Sequence, residues 1–266
     1  MRMQPPALAV VTGASRGIGR AVAVELAARG FETIATMRNP DDGAGLEAVD
    51  VRVERLDVTD PATISLPDGL RVLVNNAGVE DENLPIEHLT PDMWHRMFVT
   101  NVFGLAEVTR RAVPLMRAGG GGVICNVTSS SILGPVPFLG MYRASKAAVT
   151  AIGESLAAEV AQFGIRVVEI MPGPIETDML ASSDRPAAAI DHAEYKHLAE
   201  RMWESRQGVR AMYTPAAEAA RRIADAICDD DGPLRYGCDE LSAGMLSGWN
   251  ATDNEEWMRG MLEAMS

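Results

Sequence analysis

A chain of 266 residues, 47% of them hydrophobic, suits one large α/β domain or two small ones. A net charge of -13 argues against a general nucleic-acid-binding surface, and no apolar run is long enough to span a membrane. Aromatics make up only 5%, so aliphatic and alanine side chains must fill most of the core.

Cys125, Cys228 and Cys238 show no metal or redox spacing and read as reduced, structural thiols, consistent with a cytoplasmic protein. Met1 to Pro6 is too short and polar for a signal peptide. His192 and His197 are five apart, off the same-face spacing of a helix, so they read as surface histidines and no metal is expected.

In chain order the strand candidates are Ala7–Thr12, Glu32–Met37, Val51–Asp57, Arg71–Asn75, Val123–Thr128, Arg166–Met171 and Leu234–Tyr236. Several are Val- and Ile-rich without alternation, as strands buried on both faces require. Helical patterns lie between them, notably Ile18–Ala28, Pro91–Arg117, Met141–Gln162 and Pro215–Cys228. The alternation predicts an α/β fold, a doubly wound parallel sheet of about seven strands with helices on both faces. Arg38 to Asp50 and Val58 to Leu70 barely reach the minimum for a parallel crossover, which predicts helices of one to three turns there.

The first strand runs into Thr12-Gly13-Ala14-Ser15-Arg16-Gly17-Ile18-Gly19. Gly13 would permit a tight turn, Gly17 would let the backbone approach a pyrophosphate, and Gly19 would let the helix pack closely on the sheet. The helix from Ile18 then presents free N–H groups and a positive dipole end to phosphates. At the end of the second strand an acid would accept hydrogen bonds from a ribose 2′-OH, but this chain has Thr36-Met37-Arg38. Arg38 and Arg16 both suit a 2′-phosphate, which favours NADP(H) and leaves NAD(H) possible. Asp57 suits either an adenine amine or a helix N-cap.

Tyr142-Arg143-Ala144-Ser145-Lys146 reads Tyr-x-x-x-Lys, with Ser129-Ser130-Ser131 upstream. On a helix the two residues share a face, and a nearby ammonium favours tyrosinate, which makes Tyr142 a candidate acid/base group.

Jointly these segments resemble the short-chain dehydrogenase/reductase family. Thr12–Gly19 matches its glycine motif, Asn75-Asn76-Ala77-Gly78 its segment after the fourth strand, and Pro172-Gly173-Pro174-Ile175-Glu176-Thr177 its segment at the nicotinamide end. The match spans residues 7 to about 180. The resemblance implies a single-domain Rossmann fold over residues 1–266. It implies a catalytic set of Asn101, Ser129, Tyr142 and Lys146, with Ser130 one residue from the serine assignment. It further implies cofactor contacts from Gly13, Ser15, Arg16, Gly17, Ile18, Gly19, Arg38, Asp57, Asn76, Ala77, Gly78, Tyr142, Lys146, Pro172, Gly173, Ile175 and Thr177. Gln162–Val167 and Leu234–Tyr236 echo the hydroxysteroid and retinol-type members.

The implied chemistry is hydride transfer between NADP(H) and a ketone or secondary alcohol on a mostly apolar substrate. Tyr142 would exchange the proton, Ser129 would position the oxygen, Lys146 would lower the Tyr142 pKa and hold the nicotinamide ribose, and Asn101 would hold a relay water. A non-catalytic nucleotide-binding regulator and a β-ketoacyl thioester reductase are the alternatives. A lid is expected over 179–210, with Met179, Met202, Trp203, Met212 and Tyr213 as apolar wall candidates. Small residues at Ala144, Ala147, Ala148, Ala151 and Ser155, with the family analogy, imply a homodimer or homotetramer. Thr252-Asp253-Asn254-Glu255 has the spacing of a capping box before a last helix.

Overall fold

A computed structural model describes residues 3–178, 186–208 and 210–265. Chain order begins β1 (Leu8–Thr12), α1 (Gly17–Ala28), β2 (Glu32–Met37), β3 (Val51–Arg55) and β4 (Leu70–Asn75). It continues α2 (Pro91–Phe98), α3 (Leu105–Ala118), β5 (Gly122–Val127), α4 (Gly140–Val160), β6 (Ile165–Met171) and β7 (Ile175–Glu176). It ends α5 (Lys196–Gly208), β8 (Thr214–Pro215), α6 (Ala216–Cys228), β9 (Arg235–Gly237), α7 (Glu240–Ala251) and α8 (Asn254–Met265).

Seven strands form one parallel sheet in the order β3-β2-β1-β4-β5-β6-β9. The order reverses between β1 and β4, where doubly wound sheets open a crevice at the carboxyl ends of their strands. Successive residues of each strand point to opposite faces, and both faces are dry. Val11, Ala35 and Val74 pack with Leu26 of α1 and Ile223 of α6 on one side, whereas Val10, Leu73 and Ile124 pack with Val108 and Met116 of α3 on the other. This double burial is why the strands read as unbroken aliphatic runs.

The two short crossovers meet the low end of the expected one to three turns. Among the described residues they hold only single 3₁₀ turns, Pro40–Gly43 and Glu47–Val49 in one and Pro61–Thr63 in the other. A dozen residues that must also cross between strands leave no length for an α-helix. The predicted helix Pro91–Arg117 is interrupted. Val99–Gly104 winds as a π-helical segment between α2 and α3, and it carries Asn101.

The C-terminal helix covers its own domain. Asp253 supplies its cap, accepting from the Glu255 and Glu256 amides at 3.0 and 3.3 Å. Trp257 Nε1 donates to Leu133 O at 2.6 Å, so α8 braces the turn that follows Ser129. On α4, Ala147, Ala151 and Ser155 are exposed in the single chain.

Candidate active site

A cavity of about 820 Å³ opens at the carboxyl ends of β1, β2, β4, β5 and β6. Its floor is the turn from β1 into α1. Gly13 has φ +64°, and a Cβ there would come within 2.7 Å of Ala77 Cα. Gly17 has φ +58°, so a second left-handed position shapes the same turn. The first turn of α1 has no acidic side chain and its N-cap makes no side-chain bond, which leaves its amides and dipole facing the cavity.

Asn76 ties this turn to β4. Its Nδ2 donates to Thr12 O at 2.9 Å and Gly13 O at 3.1 Å, while its backbone N–H reaches Thr12 Oγ1 at 3.0 Å. Gly19 lies behind the cavity wall, because a side chain there would collide with this Asn76 amide. This is the close packing of helix on sheet expected of Gly19. Ser15, Arg16, Ile18, Ala77 and Gly78 line the cavity as expected.

At the adenosine end Arg38 and Asp57 both line the cavity. Asp57 Oδ1 accepts from Thr59 N at 2.9 Å and Thr59 Oγ1 at 2.7 Å, so it also caps its own turn. Arg16 is exposed and lies 3.5 Å from Asp178. No carboxylate stands at the end of β2, where Arg38 follows Met37. A left-handed glycine turn, open helix amides and a cation at the end of β2 fit a dinucleotide bearing a 2′-phosphate.

Pro172, Gly173, Ile175 and Thr177 line the opposite rim. Their position depends on Asp239, a residue the motif reading missed. Asp239 is fully buried and accepts from Gly173 N at 2.7 Å, Ser242 N at 2.9 Å and Ser242 Oγ at 2.6 Å. Asp239 and Ser242 form a capping box at the start of α7, and the reach of Asp239 to Gly173 crosses 66 residues of chain.

The reactive groups meet on α4 and the end of β5. Tyr142, Lys146, Ser129 and Ser130 all line the cavity. The Ser129 hydroxyl favours the ionised form of the Tyr142 phenol. Ser129 also donates to Ser131 Oγ at 2.9 Å, whereas Ser130 is buried with its N–H on Pro172 O at 2.9 Å. Of the two serines, Ser129 is the one that favours the ionised phenol. Lys146 Nζ donates to Val127 O at 2.9 Å and lies 5.7 Å from the Tyr142 ring centre.

Electrostatics correct the expected lowering of the phenol. Burial pushes the Tyr142 pKa well above its ordinary value, Glu80 adds to the rise, and Ser129 opposes it. Burial also pulls Lys146 down to about 8. Removal from water is the largest cause of the rise.

Asn101 sits behind Gly78 rather than in the cavity. Its Oδ1 accepts from Val79 N at 2.8 Å, and its Nδ2 donates to Val79 O at 3.0 Å and Ser145 Oγ at 3.1 Å. Its side chain thereby clamps the loop that follows Gly78.

Over the mouth lie Ala187 and, from α5, Leu198, Met202 and Trp203. Met179 and the stretch 179–185 lie outside the described residues, as does Val209. Met212 is half exposed, at 50%, and Tyr213 does not line the cavity. Glu80, Asn83, Ser205 and Arg206 make the wall more polar than the Met and Trp residues suggested. His197 is exposed, but His192 stacks on His88 at 4.0 Å, an association over a hundred residues that spacing does not reveal.

A crevice at the reversal of a parallel sheet, a glycine turn beneath it and a Tyr–Lys pair at its wall define a dinucleotide-dependent oxidoreductase. The chain belongs to the short-chain dehydrogenase/reductase family: the family model for short chain dehydrogenase matches residues 7–188. A short-chain type dehydrogenase/reductase of Picea abies is 35% identical over 206 residues, covering 68% of this chain and 75% of that protein. The 3-oxoacyl-acyl-carrier-protein reductase FabG of Salmonella typhimurium is 38% identical over 200 residues, covering 69% and 80%. Among solved structures, a short-chain dehydrogenase from Streptomyces avermitilis superposes with a TM-score of 0.76 at 28% identity, covering 94% of this chain and 93% of that one. One from Burkholderia cenocepacia, in complex with NADP, has a TM-score of 0.77 at 24% identity, covering 96% and 97%. The chain is thus an NAD(P)-dependent dehydrogenase/reductase. None of the described helices is long and apolar enough to cross a membrane.

Proposed function

We propose that this protein interconverts a ketone and a secondary alcohol using NADP(H). The observation that carries the reading is Tyr142, with Ser129 and Lys146 beside it, on the wall of the cavity floored by the glycine turn. The bound nicotinamide supplies the hydride. Tyr142 gives its hydroxyl proton to the substrate carbonyl oxygen, or takes one from the alcohol in reverse. Ser129 hydrogen-bonds the same oxygen and fixes its position. Lys146, held on Val127 O, is placed to bind ribose hydroxyls. Loss of NADPH absorbance against a panel of steroids, retinoids, aryl ketones and β-keto esters tests the reading. Binding of NADPH with no turnover of any carbonyl compound would favour a regulatory role.

NADP(H) preference rests on Arg38, Arg16 and the missing acid at the end of β2. We expect NADPH to bind more tightly than NADH. Arg38→Ala should weaken NADPH by ~10-fold or more, one charge-assisted hydrogen bond, and leave NADH unchanged. Fluorescence titration of both cofactors reads this directly, and equal affinities in the unmodified protein refute it.

Reduction of a β-ketoacyl thioester is the second reading, favoured by the likeness to 3-oxoacyl-acyl-carrier-protein reductases. The net charge of -13 opposes docking of an acidic carrier. A β-ketoacyl thioester beside plain ketones in the panel separates the two.

The exposed Ala147, Ala151 and Ser155 stripe supports a two-fold dimer through α4, because small side chains let backbones approach closely. Ala151→Glu should then split the oligomer in sedimentation, and a monomeric unmodified protein at micromolar concentration rejects this interface. The three free cysteines suit a cytoplasmic location.

A further inference from the structure

One wall of the cavity carries an acid that proton transfer from Tyr142 does not require. Glu80 follows Gly78 by two residues, and its surroundings hold it in place. Asn101 grips both backbone groups of Val79, at 2.8 and 3.0 Å. Arg96 of α2 pairs with Asp81 at 3.0 Å. Asn83 Nδ2 donates to Glu80 Oε1 at 3.4 Å, and Asn83 O in turn accepts from Ala189 N at 3.2 Å. Oε2 accepts no hydrogen bond from the described residues.

Glu80 also lies within electrostatic reach of the reacting hydroxyl. Burial pushes its carboxyl up, against the pull of Asn83 and of Arg206 on α5, and its charge contributes to the rise of Tyr142. A carboxylate oxygen that a bound substrate covers needs a donor in place of water. A substrate hydroxyl or amine supplies one. An alkyl group there strips Oε2 of water and returns nothing, and a carboxylate adds repulsion.

Resting on the carbonyl-reductase reading above, we propose that Glu80 is a specificity-determining residue. It accepts a hydrogen bond from a hydroxyl or amine near the reacting carbon. The site therefore takes hydroxy- and amino-ketones ahead of plain ketones and keto acids. The apolar wall from Leu198, Met202 and Trp203 packs the remainder of the substrate.

The test uses three ketones matched in size, bearing a hydroxyl, a methyl or a carboxylate beside the carbonyl. In the unmodified enzyme kcat/KM should favour hydroxyl over methyl by ~10-fold or more, with carboxylate last. Glu80→Leu should abolish or invert the first preference. Glu80→Gln, which keeps shape and one acceptor oxygen, should raise kcat/KM for the carboxylate by ~10-fold through loss of repulsion. Calorimetry with NADP+ should show the diol product binding ~10-fold more weakly to Glu80→Leu, with the matching simple alcohol unchanged. An unchanged hydroxyl-to-methyl ratio in Glu80→Leu overturns the proposal; should that variant not fold, no gain for the carboxylate in Glu80→Gln does so. A wild type that turns over none of the three, yet binds the diol through Glu80, refutes the reductase reading and leaves the Glu80 contact standing.

Discussion

Tyr142→Phe should lower kcat by at least ~10²-fold and leave cofactor affinity intact. The variant removes one oxygen. The ring stays packed against the cluster of Met93, Met97 and Met141, so the fold loses almost no contact. On the proposed mechanism, what disappears is the proton that the carbonyl oxygen receives as hydride arrives. The environment of Tyr142 sets the pH dependence in the unmodified enzyme. Burial and Glu80 hold the phenol above its ordinary value, so it stays protonated through the neutral range. Reduction should therefore be flat across neutral pH, and oxidation, which needs tyrosinate, should climb as the solution becomes alkaline. Steady-state rates in both directions, with NADPH titration by fluorescence, check all three statements. Near wild-type turnover in the phenylalanine variant sinks the assignment.

Much of this site was legible because local chemistry dictates it. Val and Ile runs without alternation mark strands covered on both faces, and all seven sheet strands appear within two residues of their expected ends. The glycine turn was legible for a similar reason, since a side chain at Gly13 would meet Ala77. What escaped depends on contacts between distant segments. Asp239 looks like an ordinary helix cap until Gly173 is found donating to it. Glu80 looks like a surface acid beside Asp81 and Glu82 until Asn83 and Arg206 are placed around it. The π-helical turn at Asn101 carries no composition signal either, and its amide grips Val79 on a neighbouring loop. Opposing effects on one group are equally invisible. The Tyr-x-x-x-Lys spacing correctly puts a cation near the phenol, but it says nothing of how much water both groups lose.

Lys146→Met should cost activity and increase stability together. Lys146 is 6% exposed, and its ammonium has the Val127 carbonyl at 2.9 Å as partner. No carboxylate pairs with it among the described residues. Its pKa falls from 10.5 to about 8, the direction that burial of an uncompensated cation produces. Holding the charged form in the folded state therefore costs about 3 kcal/mol at neutral pH, at 1.36 kcal/mol for each pKa unit. Methionine keeps the length of the stem and removes the charge, while the Val127 carbonyl loses a donor. The net gain should be about 1–3 kcal/mol in denaturant unfolding without cofactor. The sign with pH follows from proton counts. Below about pH 8 lysine is charged in both states and the full penalty applies. Between about 8 and 10.5 the unfolded chain binds more protons than the folded one, so the stability of the unmodified protein rises with pH. The advantage of the methionine variant should shrink across that window and level off above it. Turnover should meanwhile fall by ~10²-fold or more, because the ribose and the phenol lose their cation. A variant that is less stable than the parent at pH 7 would show that Lys146 is held by favourable contacts rather than kept at a cost for the reaction.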